Sequence, residues 1–142
     1  MVVLVAGMAA CEKGERVDDL SHCERCTYTF REDTDAGSLI FAYRNYFLEG
    51  RIGNNSTPHY ELAIAVPAGA NTFSYSDEEI ASDHVNYSVM CMNCGTVPVE
   101  TVGGTIKGRK INDRKWLLDA NVYLESPTHG RDTLVFKQFF TK

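Results

Sequence analysis

Strict alternation of apolar and polar residues in two stretches constrains the fold of this 142-residue chain more than any other feature. Residues 59–66 and 115–125 each place apolar side chains at every second position. Successive side chains of a β-strand point to opposite faces, so a period of two indicates half-buried antiparallel strands. On this basis His59 is predicted on a polar face. The predicted core is Tyr60, Leu62, Ile64, Val66, Trp116, Leu118, Val122 and Leu124.

Shorter alternations and apolar runs extend the same pattern along the chain. They occupy residues 39–48, 72–76, 85–89 and 134–140, and turn-forming Pro, Gly, Asn and Asp residues separate them. A single helical turn is predicted at residues 77–80, and no segment carries a longer helical stripe. Regularly spaced strands of this kind predict an all-β fold, an antiparallel β-sandwich of about eight strands. A small β-barrel is the alternative.

The length and charge of the chain exclude several classes of protein. A chain of 142 residues with 44% hydrophobic content is expected to form one domain. A formal net charge of -5 argues against a nucleic-acid-binding protein, because phosphate binding needs a basic face. A local basic stretch from Lys107 to Lys115 is interpreted as the solvated rim of a hairpin.

The N-terminal segment predicts export and lipid attachment. Residues 2–10 are all apolar or small, Cys11 follows, and the next residues are strongly polar. The apolar run is too short to cross a bilayer, which takes about 20 residues, and is typical of a signal-peptide core. The segment Met8-Ala9-Ala10-Cys11 resembles the lipobox of bacterial lipoproteins, which implies cleavage before Cys11 and lipidation of its sulfur. The predicted organisation is a signal-peptide remnant at 1–10, a lipidated Cys11 with a polar tether at 11–22, and a β-sandwich domain at 23–142.

Three short motifs carry a second resemblance. They are Pro67-Ala68-Gly69-Ala70-Asn71-Thr72-Phe73-Ser74-Tyr75-Ser76, Gly103-Gly104-Thr105-Ile106 and Asp132-Thr133-Leu134-Val135-Phe136. Together they resemble small lipoproteins of gut Bacteroidales, over roughly residues 60–140. The resemblance implies an all-β domain in the cell envelope and implies no reaction.

Beyond Cys11, the four remaining cysteines form two C-x-x-C pairs, Cys23/Cys26 and Cys91/Cys94. Two such pairs are a common arrangement of a structural zinc site. An exported domain lies where thiols oxidise, so an even count also fits two disulfides. The prediction is one metal or disulfide cluster of all four residues, with closure within each pair as the alternative. Zinc is the one cofactor that the sequence suggests.

Catalytic motifs are absent from the sequence. Ser82-Asp83-His84 contains the residue types of a hydrolase triad, but neighbours on an extended chain cannot line up as a proton relay. The acidic group at residues 77–79 with Asp83 lacks the ligand spacing of known calcium loops. Aromatic residues on the strands suit either a sheet core or a binding surface.

These observations predict a non-enzymatic binding or accessory module of the bacterial cell envelope, outside the cytoplasm. Its partners would be the membrane, through the lipid anchor, and a glycan or protein ligand, with no nucleic acid. Two alternatives remain at this stage. One is a structural or assembly lipoprotein that pairs through an edge strand, and the other is a hydrolase of envelope polymers.

Overall fold

A computed structural model describes residues 20–46, 58–90, 98–128 and 130–142, and the chain is all-β within them apart from one helical turn. The elements are β1 (Cys26–Asp33), β2 (Ser38–Tyr46), β3 (His59–Pro67), β4 (Thr72–Ser76), α1 (Asp77–Ile80), β5 (Val85–Met90), β6 (Glu100–Asn112), β7 (Lys115–Ser126) and β8 (Gly130–Thr141). The all-β class and the helical turn at residues 77–80 are confirmed. The alternation in the sequence did not identify β1.

The eight strands form one curled sheet in the order β4-β6-β7-β8-β1-β2-β3-β5. All neighbours are antiparallel except β1 and β8, which run parallel where Thr29 lies opposite Thr141. The result is a mixed half-barrel rather than two antiparallel sheets packed face to face. This shape is closer to the barrel that the sequence left as an alternative.

Contacts between the two ends of the sheet hold it in its curled form. The Tyr75 hydroxyl on β4 donates a hydrogen bond of 2.7 Å to the carbonyl oxygen of Ala65 on β3. The Thr101 hydroxyl on β6 donates to the carbonyl oxygen of Ile80 at 2.8 Å. The Ile80 side chain is fully buried, so α1 contributes to the core between these two ends.

The core lies on the concave face of the sheet. Its buried members are Phe30, Leu39, Phe41, Tyr43, Leu62, Ile64, Val66, Ile80, Val85, Ile106, Trp116, Leu118, Ala120, Val122, Leu124, Phe136 and Phe140. Seven of the eight predicted core residues are therefore confirmed. The exception is Tyr60, which shares the face of Leu62 but is 38% exposed because β3 begins at the open end of the half-barrel.

The strands at the two edges of the sheet are short. The two edge strands, β4 and β5, have only 5 and 6 residues. Within the described residues, no helix has the length and apolar character that a membrane span requires. Cys11 and the predicted tether up to residue 19 lie outside the described residues, so lipidation and the tether stay predictions.

Candidate binding cleft at the open end of the sheet

A cleft of about 560 Å³ opens where β2 and β7 end and where β3 and β8 begin. This volume is in the range of small-ligand sites, about 300–1,000 Å³. Its walls combine aromatic rings with amide, hydroxyl and carboxyl groups. The residues that define its chemistry are Tyr43, Asn45, Tyr60, Tyr87, Ser126, Asp132 and Thr133.

Strand register explains why tyrosines collect at this end. One row of directly opposed residues crosses four strands as Tyr28, Tyr43, Leu62 and Tyr87. Side chains in one row of a sheet point to the same face, so these rings share the concave side. Tyr60 lies one row nearer the open end, on the same face as Leu62. The concave surface is therefore a buried core in the middle of the sheet and a tyrosine-rich wall at the open end.

Ring contacts fix the orientation of these tyrosines. Tyr60 and Tyr87 stack with ring centroids 6.0 Å apart and an interplanar angle of 16°. Tyr43 stacks on Phe136 at 5.1 Å and also contacts Tyr28 at 5.5 Å. Tyr43 is buried, whereas Tyr60 is partly exposed. Tyr60 therefore presents a supported aromatic ring at the rim of the cleft.

The hydroxyls of Tyr87, in the cleft, and of Tyr28, in the adjacent core, stay protonated at neutral pH. Burial, with a smaller contribution from Tyr43, raises the pKa of Tyr28 to about 12. Burial raises the pKa of Tyr87 as well, and Tyr60, Tyr43 and the negative charge of Asp132 act in the same direction. Each hydroxyl can therefore both donate and accept a hydrogen bond.

Polar side chains from β2, β7 and β8 line the other side of the cleft. Asp132 lies opposite Leu124 in the sheet, on the concave face, and one of its oxygens accepts a 2.7 Å hydrogen bond from the Thr133 N–H. At the margin, Arg131 pairs with Glu125 at 3.3 Å. Sequence reasoning missed Asp132 and Asn45, although each shares the parity of core residues on its own strand.

A disulfide borders the same end of the sheet. Cys23 and Cys26 are bonded to each other, with Cα atoms 5.5 Å apart. The Tyr43 hydroxyl lies 3.6 Å from the Cys26 sulfur and is the donor, because a disulfide sulfur carries no proton. This is the closure within one pair that the sequence left as an alternative. Cys91 and Cys94 lie outside the described residues, and the four-cysteine cluster stays a prediction.

The register places Cys26 relative to the end of β5. Cys26 lies opposite Asn45, Asn45 opposite Tyr60, and Tyr60 opposite Val89. Three strand spacings, about 14 Å in total, thus separate Cys26 from the row in which β5 ends. Among the residues that the structure describes, no group of three or more His, Cys, Asp or Glu side chains could hold a metal ion.

His59 lies on the polar face of β3 together with Glu61, as its parity predicts, but this position is buried. His59 is 3% exposed, and its ring centroid lies 5.1 Å from that of Tyr46, its partner on β2. Its Nε2 is 3.8 Å from Glu61, whose carboxylate also accepts a 2.6 Å hydrogen bond from Arg44. Burial lowers the pKa of Arg44, but bonding to Glu61 outweighs it and raises that pKa. These residues form a structural polar cluster outside the cleft.

A second, more polar cleft of about 520 Å³ adjoins the Ser82-Asp83-His84 segment. The Ser82 hydroxyl donates to the carbonyl oxygen of Glu79, while the His84 ring stacks on Tyr75 with centroids 5.6 Å apart. The Ser82 and His84 side chains are thus engaged by Glu79 and Tyr75. Asp83 and Glu100 border this cleft and are both exposed. A catalytic acid normally lies in a desolvated site, whereas these two carboxyl groups are exposed to solvent.

Comparison with known proteins found no relative of this chain. No protein-family model matches the sequence, and searches of curated proteins and of solved structures gave no match.

Proposed function

We propose that the chain is a lipid-anchored, extracytoplasmic binding module of the bacterial cell envelope, and that its cleft binds a glycan. The observation that carries the binding function is the tyrosine-lined cleft at the open end of the half-barrel. The anchor and the location are supported by the lipobox-like segment that ends at Cys11. Tyrosine is favoured where one side of a binding surface is apolar and the other is wet.

The composition of the cleft favours a sugar over a purely apolar ligand. The Tyr60 ring offers an apolar face on which the C–H groups of a sugar ring can pack, and Tyr87 supports it from behind. Asn45, Asp132 and Thr133 supply donors and acceptors at the edge of that surface. A glycan needs both kinds of contact, because each of its rings has apolar faces and a rim of hydroxyls.

Two observations favour binding over hydrolysis and over assembly through a strand edge. Glu125 and Asp132 are the acidic residues at this cleft, but Glu125 is exposed and paired with Arg131. A pair of converging carboxylates, which glycoside hydrolysis normally needs, is therefore not formed by these two residues. The edge strands have 5 and 6 residues, which leaves little unpaired backbone for a partner strand.

Screening the purified chain on an array of bacterial and host glycans tests the proposed ligand class. Tyr60→Ala is expected to weaken binding of the best glycan about tenfold or more, as a central aromatic contact does. Tyr123→Ala is the matched control, because Tyr123 is 44% exposed on β7 and faces away from the cleft. Absence of any glycan ligand, or equal losses in the two variants, would refute the proposal.

A separate experiment tests the anchor. Labelled palmitate is expected to enter the wild-type chain in a bacterial host with a full export signal, and Cys11→Ala should abolish the label. Equal labelling of the two chains would contradict lipidation at Cys11. The glycan screen does not depend on this result, since the cleft lies in the folded domain.

A further inference from the structure

Charge is distributed very unevenly along the chain. Residues 101–142 hold eight of the 14 Lys and Arg residues but only four of the 19 Asp and Glu residues. Their formal charge is +4, against -9 for residues 1–100, although the whole chain carries -5. Residues 101–142 form most of β6 and all of β7 and β8, which are adjacent in the sheet. The acidic chain therefore contains one contiguous basic region.

Several of these basic residues share the convex face of the sheet. Lys107 lies opposite Asp119, and Asp119 lies opposite Lys137. Their strand neighbours Ile106, Leu118 and Phe136 are buried, so the side chains of this row point outward. Lys107, Arg109 and Lys137 border a shallow depression of about 750 Å³, and Asp119 is the one acidic residue among those that line it. We call this surface the basic face.

The described chain begins beside the basic face. The Ser21 N–H donates to the Lys137 carbonyl oxygen at 2.8 Å, and the Lys137 N–H donates to the Ser21 hydroxyl oxygen at 2.8 Å. The Gln138 side-chain amide also donates to the Ser21 carbonyl oxygen at 3.0 Å. Ser21 is thus hydrogen-bonded to β8 at Lys137 and Gln138. Nine residues separate it from Cys11, and the ten Cα–Cα steps between them span at most about 36 Å.

We infer that the basic face binds the surface of an anionic phospholipid bilayer. A lipid on Cys11, which belongs to the function proposed above, would tether the domain at this face and keep it near the headgroups. Each Lys or Arg close to an anionic membrane surface contributes an attraction of about fivefold in partitioning. The attraction decays within about 10 Å at moderate ionic strength. A tether that ends at the basic face makes this short-range attraction effective, because it holds the basic face near the headgroups. A long polyanion would instead meet the acidic remainder of the domain.

Vesicle co-sedimentation tests the basic face without the lipid anchor. The full chain with Cys11→Ser would be mixed with vesicles of phosphatidylcholine, with or without phosphatidylglycerol, at low and high salt. We expect binding only to the phosphatidylglycerol vesicles, and release at high salt. Lys107→Gln with Lys137→Gln should lower partitioning about 25-fold. Lys107→Arg with Lys137→Arg is the matched control, because it keeps both charges, and should bind like the parent chain.

Four results would overturn the inference: no binding to phosphatidylglycerol vesicles, equal binding to neutral vesicles, binding that salt does not weaken, or equal binding by the Gln and Arg variants. Palmitate labelling at Cys11 is scored separately. Salt-sensitive vesicle binding without labelling supports the basic face and refutes only the anchor. Labelling without vesicle binding refutes the basic face and leaves the anchor intact.

Discussion

The carboxylate of Asp77 accepts a 2.9 Å hydrogen bond from the N–H of Gly104, and this bond fastens α1 to β6. Gly104 has a φ of 114°, and it follows a register shift between Thr101 and Gly103 in the pairing of β6 with β7. The Ser76 hydroxyl and the Glu79 carboxylate form a capping box around the same helical turn. The contact between α1 and β6 therefore depends on Gly104, whose backbone conformation other residues rarely adopt.

Replacement of that glycine is the first prediction. A Cβ at Gly104 would collide with the carbonyl oxygen of Asn121, and the positive φ adds strain. We expect Gly104→Ala to lower the free energy of unfolding by about 3 kcal/mol or more, measured by urea denaturation. Gly69→Ala is the control, because its Cβ would meet no atom within 4 Å. Equal stability of the two variants would contradict the structure around β6.

The second prediction concerns the two faces of β7. Leu118 is fully buried in the core, whereas its neighbour Asp119 is exposed on the convex face. Leu118→Ala should lower the free energy of unfolding by about 2–5 kcal/mol, and Asp119→Ala by less than about 0.5 kcal/mol. A larger loss for Asp119→Ala, measured in the same urea titrations, would mean that the register of β7 is reversed.

The third prediction is a loss of stability at alkaline pH. Burial and Tyr43 raise the pKa of Tyr28 to about 12, and burial with Tyr60, Tyr43 and Asp132 also raises the pKa of Tyr87. In the unfolded chain both hydroxyls ionise near pH 10. The folded state therefore binds more protons between about pH 10 and 12, so stability is full below pH 10 and falls as the pH rises through this window.

Urea unfolding at successive pH values measures this loss. Tyr28→Phe combined with Tyr87→Phe should flatten the decline, because the variant no longer carries the two hydroxyls whose pKa is raised. An equally steep decline in the double variant would show that other groups cause it.

The fourth prediction concerns the disulfide. Trypsin cuts after Arg25, between the two cysteines, so a Cys23–Cys26 bond holds peptides 17–25 and 26–31 together until reduction. Mass spectrometry of a non-reduced digest should detect this linked pair. A loop of four residues gains only about 2 kcal/mol from closure in the chain-entropy model, so Cys23→Ser should cost no more than that. Peptides that join Cys23 or Cys26 to Cys91 or Cys94 would instead support the four-cysteine cluster.

Strands with a long local alternation were predictable from the sequence, and those defined by distant contacts were not. The alternations at residues 59–66 and 115–125 correspond to β3 and β7 because each strand buries one complete face. In β1 the concave face is Cys26, Tyr28, Phe30 and Glu32, of which only Phe30 is fully buried. β1 pairs with β2 along its whole length, and its one pairing with β8 joins residues more than 100 positions apart, about which local periodicity carries no information.

The cleft shows the same limit at the level of side chains. Parity alone placed Tyr60 on the face of Leu62, and this was correct, but burial at the end of a strand depends on where the sheet opens. For His59 the parity argument predicted the polar face correctly, but Tyr46 on the neighbouring strand packs against its ring, and the side chain is buried. A period of two gives the face of a residue, while its exposure is determined by the strands beside it.

The parallel contact between Thr29 and Thr141 joins the first strand of the sheet to the last. On one side of this junction lie β1, β2, β3 and β5, and on the other lie β8, β7, β6 and β4. An emerging chain therefore cannot complete this sheet until the twelve-residue strand β8 has appeared. Folding of the domain is thus coupled to the appearance of β8, and a chain that stops short of β8 leaves β1 with an open edge.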